Sequence, residues 1–315
     1  MKVGLFIDQI ERLNINIDSS CRLAAEAERR GAKIYYMNIN DIYTEDGEVF
    51  ADVSQIGFEA EKGLKNSFYY ITEQEVLNLA DLDVLLIRKD PPITQAHYAA
   101  LYILEALRDK VFMVNDPVGI RNGHSKLQTL RFPQFLPTQM IAANKKQVRR
   151  FLDKHEDIIM KPINSMGGQG VIRLKKGETN LNSLIETMLR LYDGQLMLQT
   201  YIEDAHLGEK RIFLFNGEPY AAIVKKPKEG DFRGNISAGA TLEEANLTAR
   251  EKEICETLKP YLLENRLFYV GLDVLGGYIL EINSISPGAI SWANQILDTP
   301  LEKTFWDVLI PLIKS

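Results

Sequence analysis

The chain has 315 residues and a formal net charge of −6, from 37 Lys plus Arg against 43 Asp plus Glu. Hydrophobic residues are 45 % and charged residues 25 %, which argues against disorder or collagen-like repeats, and the length predicts two or three packed units. A mildly acidic chain of pI about 5.5 lacks the basic footprint of a nucleic-acid binder. No apolar run approaches the roughly 18 residues of a membrane span, and the N-terminal run is too short for a signal peptide. Cys21 and Cys255 are the two cysteines, far apart and without CxxC spacing, so they read as reduced thiols rather than a disulfide or zinc scaffold. A cytoplasmic protein is expected.

The first third alternates strands and helices. Val3 to Ile7 is an apolar run ending at Asp8. Asp18-Ser19-Ser20 predicts an N-cap before an amphipathic helix that Gly31 stops. Ile34 to Met37 and Asp83 to Arg88 read as strands, Thr94 to Asp109 as a helix, and Val111 to Asn115 as a fourth strand. Strands separated by helices imply a parallel sheet with ligand loops at the strands' C-terminal ends, where Asp8, Arg88 and Asn115 stand. From about residue 116 the pattern changes. Ile158 to Met160, Val171 to Leu174 and Leu196 to Ile202 are strands around a helix at Leu181 to Leu191. Arg211 to Phe215, Asn216-Gly217 and Tyr220 to Val224 form a hairpin signal, because Asn-Gly suits a type I′ turn. Glu243 to Asn265 reads as one long helix and Tyr269 to Asn283 as a second hairpin, so the latter two thirds are α+β.

Three segments carry chemistry. Lys161-Pro-Ile-Asn-Ser-Met-Gly-Gly-Gln-Gly170 lies between two strands, and Gly167, Gly168 and Gly170 can bring backbone N–H groups close to phosphate oxygens. It is neither a Walker A loop nor a dinucleotide fingerprint, and its spacing also permits a plain glycine turn. In the second hairpin, a two-residue Gly276-Gly277 turn would put Asp273 and Glu281 on opposite faces. An odd-numbered loop instead gives one apolar face of Val270, Leu272, Val274, Leu280 and Ile282, and a second face of Asp273, Glu281 and Asn283. Such an oxygen set suits Mg²⁺, although alternating carboxylates also occur as solvated strand faces. Lys225 to Gly239, with three lysines, Arg233 and three glycines, has the composition of a mobile lid over an anionic ligand or of an exposed charged loop. His97, His124, His155 and His206 have no ligand spacing and receive no role.

Together these segments resemble the ATP-grasp ligases, and over the whole chain the prokaryotic glutathione synthetase family. The carriers are Asp8, Asn14-Ile15-Asn16, Asp18-Ser19-Ser20, Ile87-Arg-Lys-Asp-Pro-Pro92, Ser125-Lys126-Leu127, Met160-Lys-Pro, Ser165-Met-Gly-Gly168, Lys210-Arg211, Arg233-Gly-Asn-Ile-Ser-Ala-Gly239, Leu272-Asp273 and Glu281-Ile-Asn283. Their order and spacing carry the assignment. The resemblance implies an α/β plus α+β architecture: a parallel-sheet pre-ATP-grasp domain over 1–122, then a two-subdomain ATP-grasp fold of 123–202 and 203–315 with a mobile loop at 225–240. It implies that Lys126, Lys161, Ser165, Gly167 and Gly168 hold ATP phosphates, that Gln199, Tyr201 and Ile202 flank adenine, and that Glu209 binds ribose. Asp273, Glu281 and Asn283 would hold two Mg²⁺ ions or Mn²⁺. Arg211, Arg233 and Asn235 would serve the reacting groups, and Arg88, Asp90 and Ser286 the substrate. The implied reaction joins γ-glutamylcysteine to glycine with ATP, through an acyl phosphate, in a homo-oligomer without nucleic-acid or membrane partners.

After Glu281-Ile-Asn283 the family usually continues Val-Thr-Ser-Pro-Thr and a charged helix start, beside the substrate. This chain reads Ser284-Ile-Ser-Pro-Gly-Ala-Ile-Ser-Trp-Ala-Asn294 and keeps only Ser286-Pro287. A ligase for a different acid or amine therefore stays open, as does a non-catalytic ATP-binding scaffold.

Overall fold

A computed structural model describes residues 1–14, 17–58, 69–192, 194–228 and 240–313. The first sheet has seven strands: β1 (Lys2–Phe6), β2 (Lys33–Met37), β3 (Ile42–Glu45), β4 (Glu48–Phe58), β5 (Tyr69–Asn78), β6 (Val84–Ile87) and β7 (Phe112–Val114). The order is β3-β4-β2-β1-β6-β7, with β5 also on β4. Strands β2, β1, β6 and β7 are parallel, as their unbroken apolar runs demand of strands covered on both faces. Strands β3 to β5 extend the sheet antiparallel, which the chain-order reading did not foresee. Their signal is present all the same. Val49, Ala51 and Val53 alternate as buried residues after the Asp46-Gly47 turn, where both residues have positive φ.

Helix α1 (Ser19–Arg29) starts where the Asp18 carboxylate accepts from the Cys21 N–H at 2.7 Å. Helix α2 (Gln95–Glu105) is capped by Thr94, and α3 (Pro117–Asn122) by Asp116. The second sheet is antiparallel, order β10-β9-β11-β8, from β8 (Gln139–Ala142), β9 (Asp157–Pro162), β10 (Ile172–Lys175) and β11 (Leu196–Thr200). Helices α4 (Lys145–His155) and α5 (Leu181–Leu191) share its apolar core.

The third sheet runs β14-β13-β12-β15-β16, from β12 (Glu209–Phe215), β13 (Glu218–Lys226), β14 (Thr241–Glu244), β15 (Tyr269–Leu275) and β16 (Tyr278–Asn283). Asn216 and Gly217 have φ of 51° and 77°, as a type I′ turn requires. The long helix expected over 243–265 is shorter. Helix α6 (Ala249–Glu264) begins at a capping box in which Thr248 and Glu251 exchange bonds, and the preceding residues form β14 instead. Beyond β16 come α7 (Ile290–Ala293) and α8 (Leu301–Ile313).

Helix α8 returns to the first unit. The Trp306 indole N–H donates to the Leu23 carbonyl at 2.7 Å, and Phe305 joins a core containing Val3, Leu23, Phe213 and Tyr269. Asn115, expected at a ligand loop, is instead a buried tie between the first and third sheets. Its amide donates to the Tyr269 and Ser284 carbonyls at 2.7 and 2.6 Å and accepts from the Tyr269 N–H at 2.8 Å. Among the described residues no helix is long and apolar enough to cross a membrane.

Candidate active site

A cleft of about 810 Å³ opens among the three units. The structure brings Asp90, Lys126, Lys161, Ser165, Gly167, Gly168, Gln199, Tyr201, Ile202, Glu209, Arg211, Asp273, Glu281, Asn283 and Ser286 to its wall. Arg88 does not line it, and Arg233 and Asn235 lie outside the described residues.

The second hairpin forms the floor. Its turn has two residues, Gly276 and Gly277, not an odd number, and a bulge supplies the missing residue: Asp273 pairs Glu281 while Val274 pairs Ile279. Ile279 therefore takes the apolar face at 0 % exposure, and Leu280, expected there, lines the cleft. The bulge keeps Asp273, Glu281 and Asn283 together. The Asn283 amide donates to Asp273 Oδ2 at 2.9 Å. Arg211, opposite Asp273 across β12, donates from Nε and Nη2 to its two oxygens at 2.7 and 2.8 Å. Burial opposes ionisation of Asp273, but Arg211 and Lys225 outweigh it and hold the carboxyl well below the usual range.

Lys225, read above as the start of a lid loop, lies in β13, where its ammonium donates to Glu209 and stands 3.4 Å from Asp273 Oδ1. Burial raises the Glu209 carboxyl above its ordinary value, and Lys225 works against that rise. Lys126, 2 % exposed, donates to the Ser165 carbonyl at 2.6 Å and pairs Glu281 at 3.1 Å. Lys161, 6 % exposed, has no ion pair among the described residues. Burial pushes its ammonium below the ordinary value, and Glu281 pulls it back.

Gly167, Gly168 and Gly170 have φ of 63°, 74° and 70°, a left-handed run in which successive amides can face one side. The Gln199 amide donates to Gln139 Oε1 at 2.8 Å, and the Tyr201 N–H is spent on the Asp157 carbonyl at 3.1 Å. Arg173 stacks over the Tyr201 ring, 3.4 Å from its centroid.

At the other end, burial raises the Asp90 carboxyl, opposed by Ser286 and Arg88. Ser286 donates to the Arg88 carbonyl at 3.1 Å. Arg88 is buried behind this wall, donating to Ser20 Oγ at 3.2 Å and the Pro287 carbonyl at 2.6 Å. His124, given no role above, lines the cleft. Its Nδ1 accepts from the Lys126 and Leu127 N–H groups, so Nε2 carries the proton that meets Asn164 Oδ1 at 3.1 Å. The ring thus orients the segment bearing Lys126; its sequence signal is a histidine two residues before that lysine.

Two carboxylates and an amide on one face fit Mg²⁺, which takes one or two protein carboxylates beside water and phosphate oxygens. Among the described residues no three His, Cys, Asp or Glu side chains cluster to hold a softer ion.

The prokaryotic glutathione synthetase N-terminal domain matches residues 1–121, and the ATP-grasp domain of the same family matches residues 125–298. Among curated relatives, the glutathione synthetase of Vibrio cholerae serotype O1 is 34 % identical over 100 % of this chain and 99 % of its own length. That of Escherichia coli O6:H1 is 37 % identical over 92 % of each. Among solved structures, a RiPP-associated ATP-grasp ligase of Chryseobacterium gregarium, in complex with ADP and a leader and core peptide, superposes with TM-score 0.68 at 16 % identity, covering 99 % of this chain and 97 % of that one. The D-alanyl-alanine synthetase A of Vibrio cholerae O1 does so with TM-score 0.63 at 13 % identity, covering 100 % and 99 %. The fold is that of the ATP-grasp ligases, and the chain belongs to the prokaryotic glutathione synthetase family.

Proposed function

We propose that this chain joins γ-glutamylcysteine to glycine at the expense of ATP, giving glutathione, ADP and phosphate. The supporting observation is Lys161. A buried ammonium is costly without an ion pair, and Lys161 has none among the described residues; it shares a cleft with Lys126 and the Asp273–Glu281–Asn283 oxygen set. That combination suits a polyphosphate bound with a divalent cation.

In this reading Lys126, Lys161, Ser165 and the Gly167–Gly168 backbone hold the phosphates. Gln199, Tyr201 and Ile202 flank the base, and Glu209 meets the ribose. Asp273, Glu281 and Asn283 would hold Mg²⁺, as two ions or with Mn²⁺ in its place; bound metal would supply charge neutralisation at the phosphates. The peptide carboxylate attacks the γ-phosphorus, the bond to the ADP oxygen breaks, and an acyl phosphate forms. The glycine amine then attacks the acyl carbon, phosphate leaves with the bonding pair, and the amine gives up a proton. Such a transfer needs positioning and charge neutralisation, which Arg211 and the lysines supply, rather than a nucleophilic side chain. Asp90 and Ser286 face the γ-glutamyl end, and Arg88 acts from behind by anchoring Pro287. Arg233 and Asn235 would complete the site from the segment outside the described residues.

Three sheets, each within one of the segments 1–122, 123–202 and 203–315, support division there. Exposed Tyr70, Ile71 and Val76 on β5 support a homo-oligomer, which sedimentation tests. Two buried free thiols support a cytoplasmic setting.

Mass spectrometry of products from ATP with a panel of acids and amines tests the function. Glutathione as the favoured product supports it. A different pair favoured by more than roughly tenfold, about 1.4 kcal/mol in transition-state binding, means a ligase of other specificity. No ADP release with any pair means a scaffold.

A further inference from the structure

Among the cleft residues with no part in the chemistry above are Gly288, Ala289 and Trp292. Gly288 does not have the positive φ that calls for glycine, and a Cβ built on it meets only Ser19 Oγ, at 4.0 Å. Neither its backbone nor its packing requires the missing side chain. Its neighbour is the reverse case. Ala289 has φ of 82° and ψ of 4°, a region comfortable for glycine and strained for alanine. Glycine therefore stands where alanine would fit, and alanine where glycine would be relaxed. Backbone preference explains neither residue; the cleft they share is what remains. Non-glycine strain of this kind gathers at ligand sites.

Their place in the cleft says which part of a ligand they meet. The Gly288 carbonyl is 3.5 Å from Arg211 Nη1 and from the Tyr269 hydroxyl, so Gly288 adjoins the Arg211–Asp273 pair. Two residues earlier, Ser286 bonds the Arg88 backbone beside Asp90. Segment 286–288 thus runs from the polar end proposed for the γ-glutamyl group to the end proposed for the reacting carboxylate. Between the two lies the C-terminal residue of the acid substrate. Trp292, in α7 just past Ala289, lines the same cleft with an aromatic ring.

We propose that Gly288, Ala289 and Trp292 form a pocket for the side chain of the acid substrate's C-terminal residue, sized for a small, weakly polar group such as a thiol-bearing methylene. The open volume at Gly288 receives it, and the indole offers the sulfur–aromatic contact that a thiol makes well. This deepens the ligase reading above and rests on it.

The test measures kcat/KM with ATP and glycine for γ-glutamylcysteine and for γ-glutamylglycine, which has no side chain at that position. In Gly288→Ala the loss should be at least tenfold greater with γ-glutamylcysteine than with γ-glutamylglycine, and the KM for ATP should stay within twofold. In Trp292→Ala, γ-glutamylleucine should gain at least tenfold relative to γ-glutamylcysteine, which keeps the proposal testable if Gly288→Ala misfolds by circular dichroism. Equal losses with both dipeptides, or no loss, overturn the pocket, as does a loss that changes when hydroxylamine replaces glycine. A wild-type enzyme that turns over γ-glutamylcysteine without these variant effects refutes the pocket alone. A wild-type enzyme that ligates neither dipeptide refutes the ligase reading and the pocket with it.

Discussion

Replacing Lys161 by methionine removes one buried charge and little volume. Lys161 is 6 % exposed on β9, and burial drives its ammonium down from the ordinary 10.5, with Glu281 opposing and Lys126 adding to the fall. No carboxylate forms an ion pair with it among the described residues, so nearby carboxylates such as Glu281 offset the cost of that charge only in part. Exchanging buried charge for packed apolar volume stabilises by about 1–4 kcal/mol. At about 2–4 °C per kcal/mol, the Tm of free Lys161→Met should rise by about 2–16 °C. The nucleotide should respond in the opposite direction. A hydrogen bond to a charged group contributes about 1.5–3 kcal/mol, or roughly 10- to 150-fold in Kd for ATP. The rise in Tm that saturating ATP gives the wild type should shrink accordingly. Differential scanning fluorimetry and calorimetric titration read both quantities on one preparation. A Tm that falls, with ATP affinity within threefold of wild type, would refute the idea that Lys161 waits for an anion.

Glu281→Gln should lower kcat by at least about 10²-fold and stability by only about 1–2 kcal/mol, because the carboxylate is 27 % exposed and glutamine still accepts from Lys126; near-normal ADP formation at millimolar Mg²⁺ would remove it from the metal site. Asn115→Ala leaves three buried backbone groups unsatisfied and should cost about 3–6 kcal/mol in urea unfolding, with an effect under about 1 kcal/mol contradicting the inter-sheet tie. Asp273 titrates below its ordinary 3.8 in the folded state, so its contribution is full above that pH and is lost as pH falls further. Acid unfolding should therefore be steeper in the wild type than in Asp273→Asn below about pH 3.8, and identical slopes would show that Asp273 is not held ionised by Arg211 and Lys225.

Local rules carried much of the fold. Asp18 caps where expected, the helix read over Thr94 to Asp109 spans Gln95–Glu105, and Asn216-Gly217 turns as its type demands. The departures have identifiable causes. The β3–β5 extension was missed although Asp46-Gly47 and the Val49, Ala51, Val53 alternation mark it. Glu243 to Thr248 carries helix-forming residues, yet Thr248 and Glu251 close a capping box, and pairing with β13 draws the preceding residues into β14. The hairpin shows the limit of pattern reading most clearly. That Asp273 and Glu281 share a face follows from burying the other face, but a longer loop and a bulge both satisfy that condition. The site was legible where a type of residue is required, as with the cations, oxygen donors and glycines of the cleft. It was not legible where long-range packing decides. Arg88, expected to serve the substrate from a strand end, is buried under Pro287, whereas Lys225 looked like a loop residue and stands against Glu209 and Asp273.

The charges of the free cleft also constrain how it fills. Asp273 accepts from Arg211, Asn283 and Lys225, and Glu281 faces Lys126, so both carboxylates proposed to hold metal already have partners. A cation arriving alone would have to displace internal cations from them, and each displaced cation would be left buried and uncompensated. An anion arriving alone would meet Lys161, which has no ion pair to break among the described residues. On the proposed reading, nucleotide and metal together would meet both demands: phosphate oxygens would give Lys126 and Lys161 counterions, and the metal would take the carboxylate oxygens that Lys126 and Lys225 now hold. Arg211, bonded to both oxygens of Asp273, fixes the carboxylate's orientation in the free cleft. On this reasoning bound nucleotide raises the apparent affinity for Mg²⁺, and by linkage Mg²⁺ raises that for the nucleotide by the same factor.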